Sequence, residues 1–531
     1  MALTKLIFSP GINRDKSNYS QKGGWYECDK IRFRQGFPEK IGGWEVQNFN
    51  QYLGEGRSLY SYNTLTGDRI FGIGSNLKMY VFAGTTIYDI TPIRSTVTST
   101  DTDNCFATTN GSTTVVINIA GHGALDNDFV TFSGAVDVGG IPAADLNKEF
   151  QLTFIDTNSF SITVTTAATS TVAAGGGTSI VAAFQWNTGF SAATLGYGWG
   201  TGAWSRSTWG SGSTIPIYLN PRIIFQDKFN NDLIFNVSGA DIYYWTYNNA
   251  FSNRAVKLSS IAGAVAVPKE VSLTLFAPSG HLFAMGCTNY DAAASAPDYE
   301  GDYDPLLVRW ANVSANIGPE PEVWQPTATN SAGFLRIKSG SEIVAATNTR
   351  QETLVWTDYS LSSLQFLGTA EVFSLQELSN SISIMSSKVV AEANNMVFWM
   401  GNDKFFVYSG RVDTLPCTLK RHVFDNINRE QAQIFFAGTN REFNEVVWFY
   451  VSGDSEDIDS YVIYNYQEQI WYYGSLERTA WIDATVADHP TALINGYVYS
   501  HEKGNDDGQP LGAPPLGIRA YVESADIDIG E

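Results

Sequence analysis

Seven segments of this chain repeat one rhythm: an extended apolar run, a turn rich in Gly or Asn, then a second run dense in aromatics. The clearest is 222–247, RIIFQDKFNNDLIFNVSGADIYYWTY, where 233–237 and 242–245 read as strands broken at Asn230-Asn231 and Ser238-Gly239. The rhythm returns at 67–90, 281–286, 353–357, 394–408, 445–471 and 495–500. Short strands recurring with a turn between each pair, and no long amphipathic stretch, indicate antiparallel meanders in sequence. A lone meander cannot bury both faces, so the units are expected to close radially. The expected fold is all-β: a β-propeller of six to eight blades, seven preferred, with an inserted small β-barrel.

Composition agrees with a structural β protein. Apolar residues make up 44% and aromatics 13%, enough for real cores, while charged residues are only 16%. That is below the ~25% usual for soluble domains. No run approaches the roughly 20 apolar residues of a membrane span, so no membrane insertion is expected. The four cysteines, Cys28, Cys105, Cys287 and Cys417, are far apart and read as buried, reduced thiols of a chain made in a cytoplasm.

Charge is uneven. The chain carries a net −21, yet residues 1–44 hold eight Lys/Arg against four acids, leaving 25 bases and 50 acids for the remainder. An acidic body argues against wrapping nucleic acid, which needs cations to displace phosphate counterions. It suits a surface past which a polyanion must slide, or simple solubility.

Composition also divides the chain. Residues 1–57 read as an ordered N-terminal arm and 58–94 as a first blade. Residues 95–184, with one Lys, seven Asp and one Glu among Thr, Ala, Ser and Gly runs, read as the inserted barrel, its strands including FVTFSG, EFQLTFID and SFSITVTT. Residues 185–215 contain a Gly/Trp-rich loop that sets Trp199, Trp204 and Trp209 among glycines at five-residue spacing. Residues 216–531 are the rest of the propeller and a closing strand. The final AYVESADIDIG either pairs with the first blade or belongs to a chain that continues. A short helical stretch is expected near 427–433.

Catalytic constellations are sparse, and no enzyme activity, cofactor or metal is expected. There is no phosphate loop, GxSxG elbow or HExxH. His122, in Gly-His-Gly, reads as conformational. The acid clusters at 298–304, 454–460 and 504–508 lack calcium-loop spacing and read as solvated loops. The Trp loop has three readings: a sugar-stacking surface, a subunit interface, or a constriction at a channel mouth.

The most specific string lies at 8–45, FSPGINRDKSNYSQKGGWYECDKIRFRQGFPEKIGGWE. Its Pro10-Gly11-Ile12-Asn13-Arg14, Gly24-Trp25, Arg32-Phe33-Arg34-Gln35-Gly36-Phe37-Pro38-Glu39-Lys40 and Gly42-Gly43-Trp44 resemble the opening of the tail nozzle family of short-tailed bacteriophages. That family is also called tail tubular protein B or packaged-DNA stabilisation protein. GYGWGTGAWSRSTWG at 196–210 is similar to a loop of the same family. The insertion, from GHGALDND onward, resembles the β-barrel of the first catalytic-cysteine half-domain of ubiquitin-activating enzymes, a module of phage structural proteins; only its fold is carried over.

The resemblance implies a virion tail protein at the distal end of the tail tube, retaining packaged DNA and providing the ejection channel. The implied partners are five further copies in a hexamer, a tail adaptor protein at the portal vertex, tail fibre or spike proteins, and double-stranded DNA passing the lumen without specific binding. Acidic walls would repel phosphates within a Debye length of about 8 Å. Interface candidates are Arg14, Arg32, Arg34, Trp25 and Trp44, with Trp199, Trp204 and Trp209 as gate or interface residues. Replacing Arg32 and Arg34 together by Ala is expected to abolish assembly and spare the melting temperature, unless these arginines tie the arm to its own propeller. The alternative function is a receptor-binding or glycan-degrading tail protein, whose Trp loop stacks on sugar.

Overall fold

The computed structural model describes residues 8–21, 23–48, 50–98, 101–194, 220–369, 371–508 and 514–526. Seven four-stranded antiparallel sheets follow one another along the chain, at 56–89, 224–257, 273–336, 343–379, 390–415 and 436–475, then at 480–501 with Trp44–Val46. We number them blades 1 to 7. In blades 1 to 6 the strands lie in sequence order, blade 3 carrying a two-stranded ribbon before its last strand.

Turn chemistry explains the sharp edges. Blade 5 turns between Ala393 and Met396 through Asn394 (φ 52°) and Asn395 (φ 59°), and blade 7 between Ile494 and Tyr497 through Asn495 (φ 50°) and Gly496 (φ 78°). Two successive left-handed residues make a type I′ turn, whose twist matches the flanking strands. Second and third strands are buried on both faces, as in Met396–Met400 and Glu445–Tyr450. Between blades 4 and 5, Trp356 meets Trp399 edge-on at 5.5 Å. Burying such a side chain contributes about 2–3 kcal/mol. The indoles also pin the linkers between blades: Trp399 donates to Ser383 O, Trp448 to Val389 O and Trp471 to Pro416 O.

First strands of neighbouring blades pack together, and Ala480–Ile482 lies against Gly56–Asn63, so blade 7 meets blade 1. The ring is closed by the N-terminal segment, which corrects the expectation of a C-terminal closing strand. Trp44–Val46 completes blade 7 in the register Tyr499↔Val46, Ser500↔Glu45 and His501↔Trp44. The C-terminal strand Tyr521–Ser524 pairs instead with Gly24–Asp29. The physical reason is fit. Trp44 fills a hollow made by Ile41, Ile494, Tyr499 and Ile518, whereas Tyr521–Ser524 has one half-buried face and an exposed one.

Residues 8–46 are therefore a strap. Ser9–Ile12, Gly24–Asp29 and Tyr521–Ser524 form one sheet, and the hairpin of Ile31–Arg34 with Phe37–Lys40 follows. Ile12, Cys28, Ile31 and Phe33 enter the core shared by blades 4 to 6.

The insertion occupies 93–185. Nine strands form two sheets around one core of Phe106, Val130, Phe132, Phe160, Ile162 and Phe184. Its first and last strands, Ile93–Val97 and Val181–Gln185, pair antiparallel, so the barrel leaves and rejoins the ring at one place. Lys78 of blade 1 binds Asp89 at 2.9 Å and Glu149 of the barrel, and Arg254 of blade 2 reaches both carboxylates. Helix is scarce: Lys420–Phe424 and the 3-10 turn Arg429–Ile434 lie near the expected 427–433.

Candidate functional site

Because each blade begins on its inner strand, all inner strands start on one face of the ring, here the axial face. The linkers between blades and the loops joining second to third strands share that face. Lys388, just before the first strand of blade 5, reaches across it. Its Nζ donates to Arg57 O of blade 1 at 3.1 Å and Ile224 O of blade 2 at 2.6 Å, and lies 5.4 Å from the Phe225 ring centroid. No carboxylate pairs with it among the described residues, and burial pulls its ammonium down to about 7. Carbonyl dipoles and the face of the Phe225 ring, rather than a carboxylate, offset its desolvation.

Arg57 continues the cluster. It donates to Ser191 O at 3.1 and 2.8 Å and to Asp457 of blade 6 at 3.2 Å, and burial lowers its pKa. Gln431, in the linker from blade 5 to blade 6, mimics a strand: it accepts from Ala193 N at 2.8 Å and donates to Ala193 O at 2.9 Å. Phe190 bridges to Pro221, and Arg222 N donates to Phe190 O at 2.9 Å. Both roots of the Trp-rich segment are therefore held together on the axial face, between blades 1 and 6. Trp199, Trp204 and Trp209 themselves lie outside the described residues.

This geometry excludes one route for DNA. A single lysine side chain joins blade 5 to blades 1 and 2. The major groove alone is about 12 Å wide, so a duplex does not pass along the axis of one propeller.

The second cluster fastens the strap. Arg32 is 3% exposed; it forks onto Glu445 of blade 6 at 3.0 and 3.2 Å and also binds Glu502, beyond the third strand of blade 7. Tyr472 donates to Glu445, and Asn440 to Glu502 at 3.1 Å. Two carboxylates share one guanidinium, and burial pushes Glu445 up to about 7 despite Arg32. Next to them, Gly42 and Gly43 let the backbone run against 502–506: Gly43 N donates to Gly504 O at 2.9 Å and Trp44 N to Asp506 O at 3.0 Å. A Cβ on Gly43 would sit 2.5 Å from Asp506 O and 2.7 Å from its N.

The remaining interface candidates divide. Arg32, an interface candidate, is instead buried by its own chain, tied to Glu445 and Glu502 of blades 6 and 7, which is the alternative of a tie to its own propeller. Arg14 is half-buried over the Tyr26 ring at 4.4 Å and 3.4 Å from Glu27. Trp25 stacks on Phe8 at 4.5 Å. Trp44, expected at an interface, is buried inside blade 7 beside His501 and Arg478. Arg34 alone is exposed, at the hairpin tip.

His122 is buried, its ring bonded to Asp156 O and Ala124 N, which is a turn-building role. The acidic loops are used internally: Asp304 pairs with Arg336 at 2.6 Å, Asp459 receives Ser452, and 504–506 holds the strap backbone. Among the described residues, no group of three or more His, Cys, Asp or Glu is placed to hold a metal ion. On the face opposite the axial one, a cleft of about 740 Å³ between blades 4 and 5 is lined by Arg350, Glu352, Gln365, Glu392, Asn395 and Tyr408. Glu352 there already accepts from Tyr408, Gln365 and Ser363.

Lys388, Arg57, Glu445 and Glu502 escaped the sequence reading. The one signal was a lone charge heading an apolar strand, as in Lys388-Val389-Val390 and Glu445-Val446-Val447.

No protein family model matches the chain, and no curated protein matches it. Among solved structures, Kluyvelomyces marxianus Hsv2 is 8% identical, over 52% of this chain and 72% of its own, with a TM-score of 0.29. The N-terminal domain of Nup159 is 10% identical, over 54% and 79%, at 0.31. The phage phi92 endosialidase is 11% identical, over 93% and 71%, at 0.18. Likenesses this remote carry no argument about function.

Proposed function

We propose that this chain is the tail nozzle of a short-tailed bacteriophage: a non-enzymatic protein whose copies form a ring of six at the distal end of the tail tube. The ring retains packaged DNA and gives it a channel for ejection. The observation that carries the reading is the string at 8–45, which resembles the opening of that family over nearly forty positions. Its physical role supports the reading, since the motif residues Gly11, Arg32, Gly42, Gly43 and Trp44 build the strap that closes the ring of blades. A further support is charge: 25 bases against 50 acids beyond residue 44 suit a wall along which phosphates slide. The channel belongs to the assembled ring, because Lys388 crosses the axis of a single propeller. The tail adaptor at the portal and the fibre or spike proteins are the partners of this reading, and the virion tail its location.

Electron microscopy of the purified protein and of virion tails tests it. Six-fold rings with a central channel, found at the tail tip by antibody labelling, are expected. Trimeric spikes that cleave host glycan would overturn it in favour of a glycan-degrading tail protein, for which the polar cleft between blades 4 and 5 would be the place to look for the reaction.

A further inference from the structure

We propose that the tip of the strap hairpin on one copy docks against the edge of the inserted barrel on a second copy. The inference deepens the ring assembly proposed above and rests on it.

The hairpin tip is a rigid knob. Arg34 and Phe37 are register partners across Gln35 (φ 51°) and Gly36 (φ 82°). Phe37 is 76% exposed, and Arg34 is exposed with no carboxylate at ion-pair distance among the described residues. The root of the same hairpin is buried: Ile31, Arg32 and Phe33 are enclosed, and Gln35 N donates to Glu468 at 2.7 Å. An aromatic and an arginine held out on a fixed backbone lose little freedom on binding, and such pairs dominate protein contacts.

The receiving surface is the edge strand Thr153–Asp156, whose four residues are all exposed. Phe154 and Ile155 are 40% and 49% exposed, and Leu125 beside them is 57% exposed. Asp126 joins the patch by accepting from Phe154 N at 3.0 Å. Three apolar side chains are thus flanked by two exposed carboxylates, Asp126 and Asp156. That chemistry fits a phenyl ring next to a guanidinium.

Charge and topology indicate a second copy as the occupant. Residues 1–44 carry an excess of four bases, and 95–184 an excess of seven acids. The barrel leaves the ring in a linker on the axial face. The knob lies by Phe443 and Glu468, in turns on the opposite face. One chain cannot bring the two together, so the contact is head-to-tail, the type that closes into rings.

The test is sedimentation velocity and native mass spectrometry of the full chain, with melting temperature as a fold check. Arg34→Glu and Asp126→Arg should each weaken self-association about tenfold or more, and the combined variant should recover most of it through the reversed pair. Phe37→Ser, at a side chain almost wholly in solvent, should also weaken association without shifting the melting temperature. A ring that ignores all these substitutions, or a double variant that fails to recover, overturns the contact and leaves the ring reading standing. A wild-type chain that stays monomeric overturns both.

Discussion

Arg32 donates to both oxygens of Glu445, at 3.0 Å and 3.2 Å, across 413 positions of chain. That fork, shared with Glu502, makes the strap part of the propeller's core. Removing the guanidinium would leave two carboxylates near one another in a dry seam. Arg32→Ala should therefore destabilise the chain by about 3–5 kcal/mol, read by urea unfolding. Arg34→Ala should leave stability unchanged within about 0.5 kcal/mol. Equal, small effects for both would show that the seam is not a structural tie.

Glu445 gives the seam a pH dependence whose sign follows from its direction of shift. Burial raises it from 4.5 to about 7 in the folded chain. Between those values the native state holds a proton that the unfolded state has lost, so this group's contribution to stability falls as pH rises from about 4.5 to 7. The slope is at most about 1.4 kcal/mol per pH unit. Glu445→Gln, which keeps the shape of the protonated acid, should abolish that slope when unfolding is measured from pH 5 to 8.

Lys388 acts in the opposite direction. Its folded value lies at about 7, below the ordinary 10.5. In that window the unfolded chain binds the extra proton, so stability contributed by this site rises with pH from about 7 to 10. Lys388→Met fills the same space without a charge. The difference in unfolding free energy between wild type and variant should shift in favour of wild type across the window, and a constant difference would refute a dry amine at the axis.

Gly43 is held by close approach to backbone. With Asp506 O and N at 2.5 and 2.7 Å from a modest Cβ, Gly43→Ala should cost about 1–3 kcal/mol and loosen 8–46 toward limited proteolysis. Gly36→Asn is the control. It occupies a left-handed turn with open space around it, and Asn tolerates that conformation, so melting should move little.

On the proposed nozzle function, the Trp-rich segment is tested on virions. Arg57 and Gln431 hold Ser191 and Ala193, and Trp199, Trp204 and Trp209 follow these residues in the sequence. Changing all three to Ser should yield particles that assemble, adsorb normally and lose DNA early, measured as nuclease-sensitive genome during storage. Particles that keep their DNA and fail to adsorb would assign the segment to receptor reading instead.

Local pattern made the blades legible. Ile242–Trp245 and Thr353–Thr357 are strands with the bounds their sequence suggests, because a type I′ or Gly turn and a buried aromatic run are written within a dozen residues. The closing strand was illegible for the opposite reason. Trp44–Val46 has three residues, too few for a period, and its partner lies more than 450 positions away. Arg32 shows a subtler limit. Alternation in Ile-Arg-Phe-Arg puts Arg32 and Arg34 on one face, but only the tertiary fold decides that one is roofed by Glu445 and Glu502 while the other projects past the edge. Lys388 likewise acquires its carbonyl partners only when blades 1, 2 and 5 surround a common axis.

The pairing of Trp44–Val46 with Tyr497–His501 also sets an order in time. On a ribosome adding 5–20 residues per second, roughly 20–90 s separate the synthesis of Val46 from that of Tyr499. Throughout that interval the strap has no partner strand in blade 7, and Arg32 lacks Glu502 and, until residue 445 is made, Glu445 as well. The last blade therefore acts as a completion signal. A nascent or truncated chain cannot shut its own circle, and only a finished one offers the hairpin tip on a fixed base. An incomplete copy therefore carries an open seam, with Trp44–Val46 unpaired at blade 7.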